Sequence, residues 1–170
     1  GHTNTFLGEV AGGATTTGYT NAAIGSGALS SNSTGSDNVA VGISALAANT
    51  TANNNTAVGR SALDANTTGS SNTAVGHDSL GVNTEGVSNT AIGIASGHAV
   101  TTGGYNSGFG QHALNKITTG ASNTAIGYNS GGVTTTGSNN ISLGQDSATT
   151  AVDSDGQCTL GSSSITNLRC

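Results

Sequence analysis

The sequence predicts an all-β chain, a parallel β-solenoid or β-roll of ten 17-residue coils forming a single repeat domain over residues 1–170. Three observations predict it. Ten glycines stand at an unbroken spacing of 17: Gly8, Gly25, Gly42, Gly59, Gly76, Gly93, Gly110, Gly127, Gly144 and Gly161. A fixed short period means stacked copies of one small unit. The residue before every one of these glycines is apolar, from Leu7 through Val58, Val75 and Phe109 to Leu160. Glycine in every unit, abundant Thr and Asn, and short apolar patches all oppose helix.

Columns are numbered from that glycine as 0. At −4 nine units carry Asn, from Asn4 to Asn140, and the tenth carries Gln157. At −2 the residue is usually Ala, at +3 it is Ala or Ser, and at +4 five units have Leu: Leu29, Leu46, Leu63, Leu80 and Leu114. A Thr-Thr-Gly turn such as Thr67-Thr68-Gly69 follows. Asn-Thr-Ala-Val-Gly reads as a first strand. Side chains alternate across a strand, so −3 and −1 share one face and −4, −2 and 0 share the other.

The Val-bearing face is expected inside, and the small face is expected to let another backbone approach closely. A second strand is expected over +3 to +7, with glycines supplying positive φ at the corners. In the central coils this assigns structural roles to Asn55, Val58, Gly59, Leu63, Asn72, Val75 and Gly76. Val75→Asp is expected to unfold or disperse the rod, and His77→Ala to be silent for folding. In-register coils stack at about 4.8 Å, giving a rod on the order of 45–50 Å with the Asn column as an amide ladder.

Three units depart from this pattern: Ala11-Gly12-Gly13, Ser96-Gly97-His98 and Ser130-Gly131-Gly132 replace the usual Leu-bearing run. Their core residue is expected to shift to positions such as Val100 and Val133. Residues 151–170 are expected to form a cap-like last coil.

The core this allows is lean. Leu, Ile, Val and Phe make up 29 of 170 residues. Each residue ordered costs about 1–2 kcal/mol of backbone entropy, against about 1.5–3 kcal/mol for each large apolar side chain buried. No unit folds alone, and further burial between chains is expected. The charge is −5 with only Arg60, Lys116 and Arg169 as cations, so no nucleic-acid partner is expected. No apolar run reaches 18 residues, and no membrane insertion is expected. The opening Gly1-His2 reads as a cleavage scar. All eleven charged residues avoid columns −4 to 0 and also +3 and +4.

The unit Asn55-Thr56-Ala57-Val58-Gly59-x-x-Ala62-Leu63-x-x-Asn66-Thr67-Thr68-Gly69 resembles the head repeats of trimeric autotransporter adhesins and, more closely, longer-period versions in tail-fibre proteins of bacteriophages. The ending, Thr159 to Cys170, resembles the stretch that precedes an intramolecular chaperone domain in phage fibres and tailspikes. The resemblance implies an intertwined or side-by-side homotrimer, outside the cell, on a virion or a bacterial surface. It implies a structural shaft or a segment that binds a cell-surface glycan or other receptor. A bacterial adhesin head and an ice-binding solenoid are the alternatives. The ice-binding reading is weakened because Thr-Thr corners lack a T-x-T pair.

No catalytic set is visible and neither an enzyme nor a cofactor is expected. His77, His98 and His112 fall in different columns and read as exposed polar positions, so no metal is assigned. Asp153-Ser154-Asp155-Gly156 reads as a solvated turn rather than a calcium loop. For surface recognition the candidates are Arg60, His77, Gln111 and Tyr128 in the variable +1 column, together with Tyr19 and Tyr105, which are flat and amphipathic. Asn32, Asn49, Asn54, Asn66 and Asn140 stand in glycosylation sequons, most of them by-products of the repeat. Cys158 reads as a buried thiol. A disulfide of Cys158 with Cys170, within a chain or between protomers, is the alternative.

Overall fold

The computed structural model describes residues 3–163. It is a β-solenoid with one three-residue strand per coil and no helix. The strands are β1 (Thr5–Leu7), β2 (Ala22–Ile24), β3 (Val39–Val41), β4 (Thr56–Val58), β5 (Thr73–Val75), β6 (Thr90–Ile92), β7 (Ser107–Phe109), β8 (Thr124–Ile126), β9 (Ile141–Leu143) and β10 (Cys158–Leu160). They form one parallel sheet in sequence order, each residue opposite the one 17 further on, such as Val58 opposite Val75. Coils are numbered here with their strands.

The second strand expected over +3 to +7 is not formed. That wall is a zigzag of tight turns. Residues at +2 and +4 adopt left-handed φ even where they are not glycine, as in Ser61 (φ 55) and Leu63 (φ 53). Within the coil, Ala62 N–H bonds the Gly59 carbonyl (3.3 Å) and Asn66 N–H bonds that of Leu63 (3.1 Å). Between them, Leu63 N–H reaches forward to the Ser79 carbonyl (3.0 Å) and Ser61 N–H back to that of Ile43 (2.9 Å). A left-handed conformation costs a residue such as Leu on the order of 1 kcal/mol. Burial of the Leu side chain, about 1.5–3 kcal/mol, offsets it. The Thr-Thr-Gly corner also differs from expectation. Positive φ falls two residues later, at +12, on Asn54, Ser71 and Tyr105 among others. At column 0 glycine is required, because Gly59 has φ 139 and a Cβ there would stand 2.5 Å from the Gly76 carbonyl oxygen.

The interior is the reverse of the expected one. Ala40, Ala57 and Ala74 at −2 are fully buried, packed with Ala45 and Ala62 at +3 and Leu46 and Leu63 at +4. The −3 and −1 residues point outward: Val58 is 37% exposed and Val75 half-buried. The coil is too flat for two facing rows of large side chains. Leu from the turn wall fills the space, so the strand can present only Ala.

Two files of buried amides run through the stack. In the −4 file each Asn Oδ1 accepts the backbone N–H of the next Asn, as Asn55 does from Asn72 (2.9 Å). Each Nδ2 donates to the carbonyl 14 residues on, at the far end of its own coil, as Asn72 does to Gly86 (2.8 Å). The +7 file is shorter. Asn49 Nδ2 donates to Asn32 Oδ1 (2.8 Å), Asn66 to Asn49 (3.1 Å) and Asn83 to Asn66 (2.8 Å). The next residue in the file is Val100, so the buried Asn83 Oδ1 accepts nothing. Thr hydroxyls at +8 form a third file, donating to the next coil's carbonyl, as Thr67 does to Thr84 (3.1 Å).

The irregular coils follow from the same geometry. Phe6 replaces Ala at −2 in β1, and its ring covers Gly12, filling the space that Leu occupies elsewhere. Val100 joins the core as expected, fully buried, although it takes the +7 place that Asn holds in earlier coils and the space beside Gly97 is filled by Leu80 of the preceding coil. Val133 does not: it is 37% exposed. The inward +7 position of that coil is Thr134, which bonds Thr149 (2.7 Å). In the last coil the Gln157 N–H continues the ladder onto Asn140 Oδ1 (2.9 Å), but its Oε1 turns back to accept from the Thr150 N–H (3.0 Å). The expected cap-like coil over 151–170 lies partly outside the described residues, as do the Gly1-His2 opening and the end of the chain from Ser164.

Candidate functional site

Two surfaces stand out. The first is the outward side of the sheet. Column −1 runs as a file from Leu7 to Leu160, with Ile24, Ile92 and Ile126 all 40% exposed or more. Beside it at −3 stand Thr, Ala, Val, Ser, Ile and Cys, never a charged residue. Ile43 and Ile94 at +1 broaden the apolar band. Solvent-exposed columns elsewhere carry the acids and bases, so the absence of charge from these two sets them apart. Cys158 belongs to this face, and it is exposed rather than buried because −3 points outward. Cys170, its proposed partner, lies outside the described residues.

The second surface is a corner of coils 5 to 7. The turn wall places +2 and +5 side chains of successive coils side by side there, lining a depression of about 290 Å³ with Asp78, Ala95, His98, His112 and Asn115. His98 Nε2 lies 3.2 Å from Asp78 Oδ2. The His112 ring meets the Tyr128 ring edge to face, with centroids 6.2 Å apart. Asp64 stands next along the wall. Its partial burial, reinforced by the Asp78 carboxylate, raises its pKa above the ordinary 3.8. Among the described residues no group of three or more His, Cys, Asp or Glu is placed to hold a metal ion.

The sequence-predicted residues sort as follows. Arg60, His77, Gln111 and Tyr128 form an exposed file at +1. Tyr19 (51% exposed) and Tyr105 (65%) stand at +11 and +12 on coils five apart and are not brought together. Asp155 does not form an open loop: its Oδ1 accepts from the Ser138 N–H (2.5 Å), tying the turn to the preceding coil. Of the five sequon asparagines only Asn54 is exposed. Asn32, Asn49, Asn66 and Asn140 are locked in the amide files. Column analysis of single positions missed the Asp78–His98–His112 grouping. Reading the +2 and +5 columns of adjacent coils together is the signal that finds it.

No family model, no curated protein and no solved structure matches the chain. Among the described residues, no helix is long and apolar enough to cross a membrane.

Proposed function

We propose that this chain is a structural shaft or receptor-binding segment of a phage tail fibre, a homotrimer that attaches to a host cell surface outside the cell and has no enzymatic activity. The observation that carries the reading is the apolar, uncharged file on the outward side of all ten strands. A contiguous exposed apolar surface of this length marks an interaction site. Its chemistry repeats coil by coil, so a partner with the same repeat matches it along its whole length. Two further copies of the chain are such partners. Continuous hydrogen bonding between coils supports a rigid rod, and threefold repetition gives avidity to weak contacts at the cell surface. A bacterial adhesin head would use the same architecture.

A second reading is favoured by one specific observation. Thr56 and Val58, Thr73 and Val75, Thr90 and Ile92, and Thr124 and Ile126 point outward in two parallel files. Flat files of this kind suit an ice-binding solenoid, and they lie on the strand rather than at the Thr-Thr corner. Trimerisation and ice binding compete for one face. Light scattering after size exclusion tests the two. A mass near three times 16.2 kDa without thermal hysteresis supports the fibre. A mass near 16.2 kDa with thermal hysteresis overturns it in favour of ice binding.

A further inference from the structure

Gly81 interrupts the +5 column for a reason that is not backbone conformation. Its φ is not in the left-handed region, and it is buried. A Cβ at Gly81 would lie 2.6 Å from Asp78 Oδ1 and 3.2 Å from His98 Cδ2. The missing side chain is what allows the Asp78 carboxylate and the His98 imidazole to fold together over the wall. The depression is formed by residues of three coils, Asp78 and Gly81, then His98, then His112, with Tyr128 on the next coil bracing His112 from its exposed position. Asn129 folds over Gly132 in the same way one coil beyond.

The chemistry of the lining selects a ligand class. An anion is disfavoured by Asp78 and Asp64 and by a chain of charge −5. A metal ion lacks a set of three converging ligands. A purely apolar ligand would leave His112 and the unpartnered Asn115 Oδ1 without polar contacts beside the paired Asp78 and His98, at a cost for each desolvated polar group. What remains is a neutral molecule with many hydroxyls and an apolar face. Imidazole and carboxylate exchange hydrogen bonds with hydroxyls. Ala95 offers apolar surface to C–H groups. The volume sits at the lower end of ligand clefts, about 300–1,000 Å³, and suits a sugar residue rather than a long chain.

We propose that this corner of coils 5 to 7 is a saccharide-binding site, engaging one sugar residue of a cell-surface glycan through Asp78, His98, His112 and Asn115, with Tyr128 holding His112 in place. It rests on the attachment reading above and names the ligand class of that attachment.

Saturation-transfer NMR on the intact chain tests it, with glucose, galactose, mannose and N-acetylglucosamine as probes. Transfer to at least one sugar is expected, with a Kd on the order of 1 mM. Gly81→Ala moves only the flexible Asp78 and His98 side-chain ends, so the rod should keep its mass and melting temperature. Binding in Gly81→Ala and in His98→Ala should weaken by about tenfold or more, while Asp37→Asn, exposed on the second coil, should bind like the parent. Absence of transfer to all four sugars overturns the proposal, as does transfer that survives both substitutions. Zn²⁺ shifting the His98 and His112 resonances without any sugar transfer also overturns it. A threefold mass without sugar binding discards this site and leaves the fibre reading. Sugar binding by a monomer does the reverse.

Discussion

The two sides of each strand are made of neighbouring residues with opposite fates. In β5, Ala74 is fully buried against the turn wall, while Val75, one residue on and larger, stands on the outside. The smaller apolar residue is inside because the turn wall contributes the bulk through Leu63 and Leu80. The inner side is closed by the chain itself. The outer side is apolar without being closed, and it carries no charge in any coil. The contrast teaches that apolar character and interior location are separate properties here: one serves the coil, and the other serves whatever covers the sheet.

Substitutions that place the same group on the two sides should break this contrast most sharply. Ala74→Asp puts an unpaired charge among Ala62, Leu63 and Leu80, and should cost about 3–5 kcal/mol, seen as loss of the urea unfolding transition or a large fall in its midpoint. A parent-like transition would reverse the assignment of the inner side. Asn72→Ala comes next. It strips the partner from the buried Asn89 N–H, at about 1–3 kcal/mol for the group left unsatisfied, and removes one of the two donors to the Gly86 carbonyl, which keeps Asn83 Nδ2. Thermal melts followed by circular dichroism would report it. The Thr67 hydroxyl file, part-exposed, is the control that should lose less.

Val75→Asp, on the outer side, should change the stability of the single chain by no more than about 1 kcal/mol and act on association instead. If the chain is the homotrimer proposed above, the mass should fall to that of one chain with the β signal retained. If the coil unfolds while Ala74→Asp is tolerated, the two sides have been interchanged. Smallest is Asp64→Asn. The folded-state pKa of Asp64 is raised by burial and by Asp78, so the folded form binds a proton more readily than the unfolded chain. Its ionisation therefore costs stability as pH rises through and above 3.8, and nothing below. Asp64→Asn should raise the melting temperature slightly at pH 7 and leave it unchanged at pH 3. An equal gain at both values would remove ionisation as the cause.

Much of the solenoid was legible one column at a time. The glycines announced the period, the Asn column the amide ladder, and the apolar residue after Gly97 the buried Val100. The corner of coils 5 to 7 was not legible that way. Its members lie 3 to 37 residues apart in two columns, and neither column is unusual alone. They become neighbours only because +2 residues such as Asp78 (φ 61) and His112 (φ 59) adopt a left-handed conformation. Asp, Asn and His favour that conformation more than other non-glycine residues do, but Val10, Ser61 and Ala95 share it in the same column, so no single residue announces the choice. Val133 shows the same limit: an apolar residue one position off the inward register is carried to the surface.

By itself the sequence determined the 17-residue period, and with it the parallel in-register sheet, because identical units can satisfy one another's backbone groups only when stacked in step. It also determined that charge is kept from the columns around the glycine. Only the tertiary structure decided which side of the strand is inside. Alternation along a strand separates two faces without ranking them. The ranking depends on how far away the opposite wall stands, and here that distance is set by left-handed turns at +2 and +4 and by the Leu they deliver into the core.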